Sequence, residues 1–274
     1  MIFPANVTII ARFFVTCGNL FRMKPLEKDI LNRTTLLLGD PVMERMAAAR
    51  VIVFGIGGVG SWCAESLVRS GIRRMTLVDP DRVCISNVNR QAMATTRTVG
   101  SMKVEALRDR LLDINPEAEI EAIPEVFSAE TAERFHLDEY DYIIDAIDSL
   151  KDKIDLILCA TAPDLNRPKL FSAMGAALKI DPSKIRVSEF WDVQGCPLAF
   201  LLRKRMRRIK CLPGRKFQCV WSSEVLPNLG EAPLEDGSGS MFKKAKINGT
   251  TAHITAIFGF TLAGLVIQDL YRAV

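Results

Sequence analysis

The sequence predicts an α/β fold with a mostly parallel sheet flanked by helices. Between residues 50 and 178, short apolar runs rich in β-branched residues alternate with segments whose apolar residues recur at helical spacing. Strands and helices that alternate at this length imply right-handed crossovers between parallel strands. The composition agrees: the 274 residues, 49% hydrophobic and 25% charged, exclude a disordered or collagen-like chain.

The elements are predicted in order along the chain. Strands are predicted at the apolar runs RVIVFGIG, RMTLVD, AEIEAIPE, DYIIDAID and PKLFSAMGAA. Helices are predicted between them at GVGSWCAESLVRSG, SMKVEALRDRLLDIN, SAETAERFHL and KDKIDLILCATAPDL. Beyond residue 180 we expect antiparallel strands, an amphipathic helix at CPLAFLLRKRMRRIK that begins at Pro197, and a closing apolar helix.

The domain organisation is predicted to be a short extension followed by one domain. Residues 1–22 are apolar without the basic start of a secretory signal, so an extension is preferred to a membrane anchor. Residues 23–274 are predicted to form a nucleotide-binding half, 23–178, and a substrate-facing half, 179–274. The apolar run 252–267 is shorter than the ~20 residues that span a bilayer, so a buried helix is preferred to membrane contact.

The seven cysteines are spread along the chain with no CxxC pair. An odd number in this arrangement argues against a disulfide framework and against a four-thiolate zinc site. We therefore expect a protein of the reducing cytoplasm that holds no zinc.

Two features predict a nucleotide at the carboxyl ends of the strands. The motif GIGGVG follows the first strand and opens a helix; its glycines are Gly55, Gly57, Gly58 and Gly60. Backbone amides at such a turn bind phosphate, although tight strand-to-helix packing also favours glycine. Asp79 ends the second strand nineteen residues after Gly60, where an acid binds ribose hydroxyls; the alternative is a turn residue before Pro80. Together they indicate a Rossmann-like fold.

A long loop after the second strand favours ATP over a nicotinamide cofactor. The loop and the helix after it carry five candidate residues: Asp81, Asn87, Arg90, Gln91 and Lys103. Cations in this place neutralise charge on a triphosphate, so a dehydrogenase is the weaker hypothesis. The fourth strand ends in DAIDS, which supplies Asp145 and Asp148, and one carboxylate facing a triphosphate is a magnesium ligand. The alternatives are solvated charges for Arg90 and Lys103, and a helix N-cap for Asp148.

These motifs, with RTTLLLG, LVDPDRVCISNVNRQ, TVGSMKVEAL and SAMGAALKIDPSKIRV, resemble the ubiquitin-activating-enzyme-like superfamily of ATP-dependent adenylating proteins. Within it, the chain is most similar to the tRNA threonylcarbamoyladenosine dehydratases, and the likeness runs from about Arg33 to the C-terminus. It implies that the four glycines hold ATP phosphates, that Asp79 binds ribose and that Asp148 places Mg²⁺. Arg90 and Lys103 would face the triphosphate, beside Asp81, Asn87 and Gln91. Arg33 would act in trans across a homodimer; its alternative is a helix-surface charge.

The substrate-facing half carries a basic segment, residues 203–216, with eight cations and no acid. The cations expected to bind tRNA are Arg203, Lys204, Arg205, Arg207, Arg208 and Lys210. Such a cluster suits a phosphate backbone, and its alternative is a solvated helix face. Cys219 could attack an acyl-adenylate, yet a cyclisation needs no enzyme thiol, so a structural cysteine is preferred.

The resemblance implies an ATP-dependent cyclisation of threonylcarbamoyladenosine in tRNA through an acyl-adenylate. The main alternative is an adenylyltransferase for a ubiquitin-like sulfur-carrier protein, against which the missing CxxC pairs count. A catalytically silent nucleotide- or tRNA-binding module is the third hypothesis. A sulfur-transfer protein is a further candidate partner.

Overall fold

The computed structural model describes residues 24–165, 168–231 and 248–273. The predicted extension 1–22 and the Gly/Ser-rich segment 237–246 lie outside them. The helices are α1 (Pro25–Ile30), α2 (Asn32–Leu38), α3 (Asp40–Ala48), α4 (Gly60–Ser70), α5 (Lys103–Ile114), α6 (Leu150–Ala160), α7 (Pro197–Ile209) and α8 (Ala252–Arg272). The strands are β1 (Arg50–Phe54), β2 (Arg74–Val78), β3 (Glu119–Ile123), β4 (Tyr142–Asp145), β5 (Lys169–Ala173), β6 (Ile185–Glu189) and β7 (Gln218–Ser222).

The seven strands form one sheet in the order β3-β2-β1-β4-β5-β7-β6. Neighbouring strands are parallel except β6, which runs antiparallel to β7. The chain therefore leaves β1 in one direction to build β2 and β3, and in the other to build β4 and β5. Sheets of this kind bind ligands where the order reverses, at the carboxyl ends of β1 and β4. The predicted fold class is confirmed.

Alternate side chains of the central strands point to opposite faces, so each face carries its own core. Val51 and Val53 of β1 pack into one cluster with α3, α4, α5 and α8. Ile52 and Phe54 pack into the other with α6 and α7. All these strand residues are buried. Helices on both faces of a parallel sheet explain why residues 51–54 of β1 and 142–144 of β4 are continuous apolar runs.

The closing helix α8 is 21 residues long, and by length and composition it meets the criteria for a membrane span. Half of its most apolar stretch is buried inside the protein, so its length and composition are weak evidence for a membrane span. It passes so close to α4 that a Cβ on Gly259 would lie 2.5 Å from the Val59 carbonyl oxygen. Its far end is tied to the amino ends of β4 and β5, because Asp269 accepts hydrogen bonds from Tyr142 and Lys169.

One predicted helix is wrong. The segment SAETAERFHL forms two short 3₁₀ turns, Ala132–Phe135 and Leu137–Glu139, separated by His136 in a left-handed conformation with φ of 43°. Before the first turn, the Thr131 hydroxyl accepts a hydrogen bond from the Ser128 amide and also contacts the Val126 carbonyl oxygen. Such local bonds from a Ser/Thr-rich start offer the backbone an alternative to an α-helix.

Candidate functional site

The candidate site lies in the crevice at the carboxyl ends of β1, β2 and β4. The glycine turn follows β1 directly, and α4 begins at Gly60. Asp79 follows the last residue of β2, and Asp145 is the last residue of β4. The topology therefore brings the glycine turn and the two carboxylates to one edge of the sheet.

The glycines of the turn meet different surroundings. Gly55 has φ of +87°, and a Cβ there would lie 2.7 Å from the Ala146 carbonyl group; on Gly60 it would lie 1.9 Å from the Gly55 carbonyl oxygen. A Cβ on Gly58 would meet the Thr255 side chain at 3.0 Å, whereas a Cβ on Gly57 would have nothing within 4 Å. Packing thus explains Gly55 and Gly60, while Gly57 leaves space for a group that approaches the backbone from outside.

Asp79 orients the glycine turn. Its Oδ2 accepts a hydrogen bond of 2.7 Å from the Ile56 amide, and its Oδ1 accepts one of 2.9 Å from the Asp81 amide. Burial raises the pKa of the Asp79 carboxyl, and the charge of Lys103 opposes that shift. The carboxylate therefore holds the turn and the following loop together, and its contact with a ribose stays a prediction.

Lys103 opens α5 and reaches back to both carboxylates. Its Nζ lies 2.8 Å from Asp81 Oδ2 and 3.5 Å from Asp79 Oδ1. Burial by itself lowers the pKa of Lys103, but the charges of Asp79, Asp81 and Asp148 outweigh it, so the net pKa is raised. Lys103 is therefore charged at neutral pH, although its side chain is only 8% exposed.

The loop that follows β2 is closed at its base and fixed against α4. Arg82 and Met102 form an antiparallel bridge, and Asn87 caps a 3₁₀ turn by accepting a hydrogen bond from the Cys84 amide. The Trp62 indole N–H donates to the Arg90 carbonyl oxygen at 2.9 Å. Trp62 is a positioning contact that was not predicted from the sequence. The one feature of the sequence that could have indicated this contact is its position, two residues after the last glycine of the motif.

The Arg90 guanidinium is half-buried in this loop and donates to the Ser86 carbonyl oxygen and to Asn89 Oδ1. Burial lowers its pKa, and the Asp148 carboxylate opposes that shift. Next to it, the Gln91 side chain is buried, and its Oε1 has no hydrogen-bond partner among the described residues. A buried polar atom without a partner is rare and fits a site completed by a ligand.

Asp148 is exposed just before α6, which begins at Leu150 with Ser149 as its N-cap residue. The residue at the cap position is thus Ser149, and Asp148 lies one residue before it. Its charge acts on both Arg90 and Lys103. The structure thus brings together two of the predicted cations and the predicted magnesium ligand.

A buried ion pair between the end of β4 and α6 was not predicted from the sequence. Lys153 Nζ lies 2.8 Å from Asp145 Oδ2, and both side chains are 0% exposed. The sequence placed Asp145 near the site but left its partner unassigned, because a lysine in the first turn of a helix usually faces solvent. The one feature of the sequence that could have indicated this pair is the spacing of eight residues between Asp145, at the end of a strand, and Lys153, in the next helix.

The remaining predicted residues lie apart from this cluster. Arg33 is exposed on α2 and takes part in none of the contacts described above. In the basic segment, Lys204, Arg205, Arg208 and Lys210 are exposed. Arg203 instead donates to the carbonyl oxygens of Phe190 and Trp191, and the Arg207 guanidinium stacks 5.3 Å over the Trp191 ring.

Cys219 is fully buried on β7, where burial raises the pKa of its thiol well above the usual range. A thiol in that state is uncharged at neutral pH and is a poor nucleophile. The geometry supports the structural interpretation of this cysteine.

Comparison with known proteins places the chain in a family. The sequence pattern of the ThiF family matches residues 31–272. The chain belongs to the ThiF family. It is similar to the tRNA threonylcarbamoyladenosine dehydratase of Bacillus subtilis (strain 168), with 35% identity over 244 residues that cover 88% of this chain and 94% of the relative.

Among solved structures, the crystal structure of the Escherichia coli tRNA N6-threonylcarbamoyladenosine dehydratase in complex with ATP superposes with a TM-score of 0.79 and 31% identity. It covers 92% of this chain and 98% of that one. The sulfur carrier protein adenylyltransferase of Thermus thermophilus is 34% identical over 150 residues, which cover 54% of this chain and 54% of the relative. The alignment with the dehydratase therefore covers nearly all of both chains, whereas that with the adenylyltransferase covers about half of each.

Proposed function

We propose that this chain is an ATP-dependent tRNA threonylcarbamoyladenosine dehydratase, which closes the threonylcarbamoyl group of a modified adenosine into a cyclic hydantoin. The observation that carries the proposal is the likeness to dehydratases across nearly the whole of both chains. The site supports it, because the Asp148 charge acts on both Arg90 and Lys103. Lys103 in turn pairs with Asp79, which holds the glycine turn, and a Cβ on Gly57 would meet open space.

The first step activates the threonyl carboxylate. One of its oxygens attacks the α-phosphorus of ATP, the bond to the bridging oxygen breaks, and pyrophosphate leaves. The amides at the start of α4 bind phosphate, while Arg90 and Lys103 stabilise the charge that develops on the leaving group. Lys103 is held in place for this role by Asp79 and Asp81.

The second step is intramolecular. A urea nitrogen of the same nucleoside attacks the acyl carbon, AMP leaves with the former carboxylate oxygen, and the nitrogen releases its proton. The five-membered ring that forms has lost one water relative to the starting nucleoside. Because both reacting groups belong to one substrate, the protein has only to hold a near-attack geometry, and no enzyme thiol is needed. The buried thiol of Cys219 agrees with this mechanism.

Magnesium would be held by Asp148 together with phosphate oxygens. Among the described residues there is no group of three or more His, Cys, Asp or Glu side chains that would hold a metal alone. Mg²⁺ on a nucleotide needs only one or two carboxylates, so a single exposed acid beside Arg90 and Lys103 fits it. The metal would neutralise part of the triphosphate charge.

The enzyme is proposed to act as a homodimer in which Arg33 reaches the ATP of the partner subunit. The helix that carries Arg33 also exposes Leu36 and Leu37, at 80% and 81%. Adjacent exposed leucines on one short helix are typical of a surface that is covered by a partner. We place the enzyme in the cytoplasm, and a sulfur-transfer protein as a further partner remains a hypothesis.

Transfer RNA is proposed to bind along α7. The cations of this helix lie in its later turns, and the helix is about 20 Å long at 1.5 Å per residue. Gly175 follows β5 at the edge of the sheet that carries the candidate site, and it lies near Leu198 in the first turn of α7. The cations in the later turns of α7 therefore extend away from that edge. This placement suits contacts with a phosphate backbone at a distance from the reacting nucleotide.

The test is incubation of the protein with Mg·ATP and tRNA that carries threonylcarbamoyladenosine, followed by mass spectrometry of the nucleosides. We expect AMP, pyrophosphate and a nucleoside lighter by one water. Lys103→Ala should abolish turnover while tRNA affinity is retained, which separates an enzyme from a binding module. Unchanged tRNA together with AMP transfer to a ubiquitin-like sulfur carrier would instead identify an adenylyltransferase.

A further inference from the structure

The buried pair Asp145 and Lys153 binds both polar groups of one residue, Ile147. Asp145 Oδ1 accepts a hydrogen bond of 3.1 Å from the Ile147 amide, and Lys153 Nζ donates one of 3.1 Å to the Ile147 carbonyl oxygen. Asp145 Oδ2 also accepts from the Ser172 hydroxyl at 2.7 Å. The residue directly before Asp148 is therefore held from both sides.

The same segment supports the glycine turn. The Ala146 amide donates to the Phe54 carbonyl oxygen at 2.8 Å, and the Ala146 carbonyl group fills the space beside Gly55. A shift of residues 146–148 would thus move the wall of the turn and the Asp148 carboxylate together. Both belong to the part of the site that is proposed to receive the triphosphate.

Stability does not by itself explain this arrangement. Two fully buried charges have a desolvation cost that their attraction barely offsets, and apolar residues of similar volume are often as stable. Apolar side chains could not bind the amide and the carbonyl of Ile147, however. An ion pair that is enclosed in the core and bonded to a loop next to the site fits a positioning role.

We infer that the Asp145–Lys153 pair is a positioning device that fixes the Asp148 carboxylate and the glycine turn for Mg·ATP. The inference rests on the proposed function for the role of Asp148. Neither member of the pair is expected to touch ATP, since both are enclosed. They act through the backbone of residues 146–148.

The test is the double substitution Asp145→Asn with Lys153→Met, which removes both charges together and leaves no unpaired ion. Asparagine retains an acceptor for the Ile147 amide, so the variant loses mainly the bond to the Ile147 carbonyl oxygen. We expect it to fold, as judged by circular dichroism and thermal unfolding. Its dissociation constant for Mg·ATP should rise at least tenfold, and that for ATP in EDTA should rise less.

The matched control is Glu65→Gln with Arg110→Met. Glu65 is buried and accepts from Arg110 of α5 at 2.7 Å and from Arg69 of its own helix at 2.9 Å, outside the loop 146–148. This variant should lose stability without a change in ATP affinity. The inference is overturned if both double variants bind Mg·ATP with the affinity of the wild type. It is also overturned if both lose affinity for Mg·ATP equally, in proportion to their loss of stability.

ATP binding is measured by calorimetry without tRNA, so the result does not depend on which substrate is adenylated. A wild-type protein that binds Mg·ATP but leaves tRNA unchanged would contradict the proposed function and leave this inference standing. If the wild type cyclises tRNA and the Asp145/Lys153 variant binds Mg·ATP normally, the proposed function stands and the inference about the ion pair is overturned.

Discussion

At the scale of single residues, the glycines of the turn show how packing and ligand binding can be told apart. Gly55 and Gly60 are required by the protein itself, because a side chain on either would collide with backbone atoms. The protein itself does not require glycine at position 57, since a side chain there would meet open space and the backbone is not in the left-handed region. The motif in the sequence treats the three alike, and only the structure distinguishes them.

Gly57→Ala should leave folding intact and weaken ATP binding. With nothing within 4 Å of the new methyl group, we expect the free energy of unfolding to change by less than about 0.5 kcal/mol. The methyl group would occupy the space through which phosphate reaches the backbone, so the dissociation constant for ATP should rise about tenfold, measured by calorimetry. Gly264→Ala, an equally open glycine on α8, is the control and should not change ATP affinity. An unaltered affinity for Gly57→Ala would place the phosphates elsewhere.

Cys219→Ala should retain turnover. Burial raises the pKa of this thiol, so the thiolate forms only in strongly alkaline solution and contributes no nucleophile near neutral pH. We expect kcat within about twofold of the wild type per folded molecule, with a stability loss of about 1 kcal/mol from the deleted sulfur. Lys103→Ala serves as the inactive reference. Complete loss of tRNA cyclisation in well-folded Cys219→Ala would assign the thiol a chemical role.

At the scale of the element, α7 combines structural and exposed cations on one helix. Arg203 and Arg207 hold the turn Phe190–Asp192, whereas Arg205 and Arg208 project into solvent. The apolar residues Ala199, Leu202 and Met206 form the buried stripe, at a helical spacing of three and four. The charge run in the sequence thus contains two groups with different tasks.

Arg205→Ala with Arg208→Ala should weaken tRNA binding without altering chemistry on bound tRNA. If each cation neutralises one phosphate, the logarithm of the tRNA association constant should fall less steeply with the logarithm of the salt concentration. The slope should become shallower by about 1 for each arginine removed. Filter binding over a series of salt concentrations measures this slope. Arg108→Ala with Arg134→Ala removes the same charge from exposed ion pairs elsewhere and should leave the slope unchanged. Identical slopes for both variants would exclude α7 from the tRNA surface.

The elements that could be predicted from sequence are those whose periodicity is strong and local. The strands β1, β2 and β4 and the helices α4, α5 and α7 lie within the predicted segments, because buried apolar runs and amphipathic stripes leave a clear pattern. The 3₁₀ turns around His136 were not predicted, since side-chain hydrogen bonds to the backbone decided them. Lys153 was missed because burial of its charge depends on a strand partner that no local pattern reveals.

At the scale of the whole molecule, the exposed leucines of α2 are the surface on which the proposed homodimer would form. Leu36 and Leu37 are more exposed than almost every other large apolar side chain among the described residues. They lie within about one helical turn of Arg33, the residue proposed to act in trans. A dimer built on this helix would bury the leucines and bring Arg33 to the partner surface in one contact.

If the proposed dimer forms on α2, Leu36→Glu with Leu37→Glu should convert it into a monomer, measured by light scattering after size exclusion. Leu229→Glu replaces a leucine that is 95% exposed elsewhere and should leave the mass unchanged. Mixing Arg33→Ala chains with Lys103→Ala chains should restore about a quarter of wild-type turnover, because half of random dimers are mixed and each has one intact site. A wild-type monomer, or mixtures that stay inactive, would contradict action in trans.

The parallel pairing at the centre of the sheet also governs the order in which the site can form during folding. Strand β1 meets β4 with Val51 opposite Tyr142, so one neighbour of the central strand comes from far along the chain. Contacts of high sequence separation form slowly, because a long loop has to close before they contribute. The glycine turn needs the Ala146 backbone as its wall and is therefore incomplete until that pairing is made. Binding of ATP would then report on the late, long-range stage of folding and would favour the chain that has completed it.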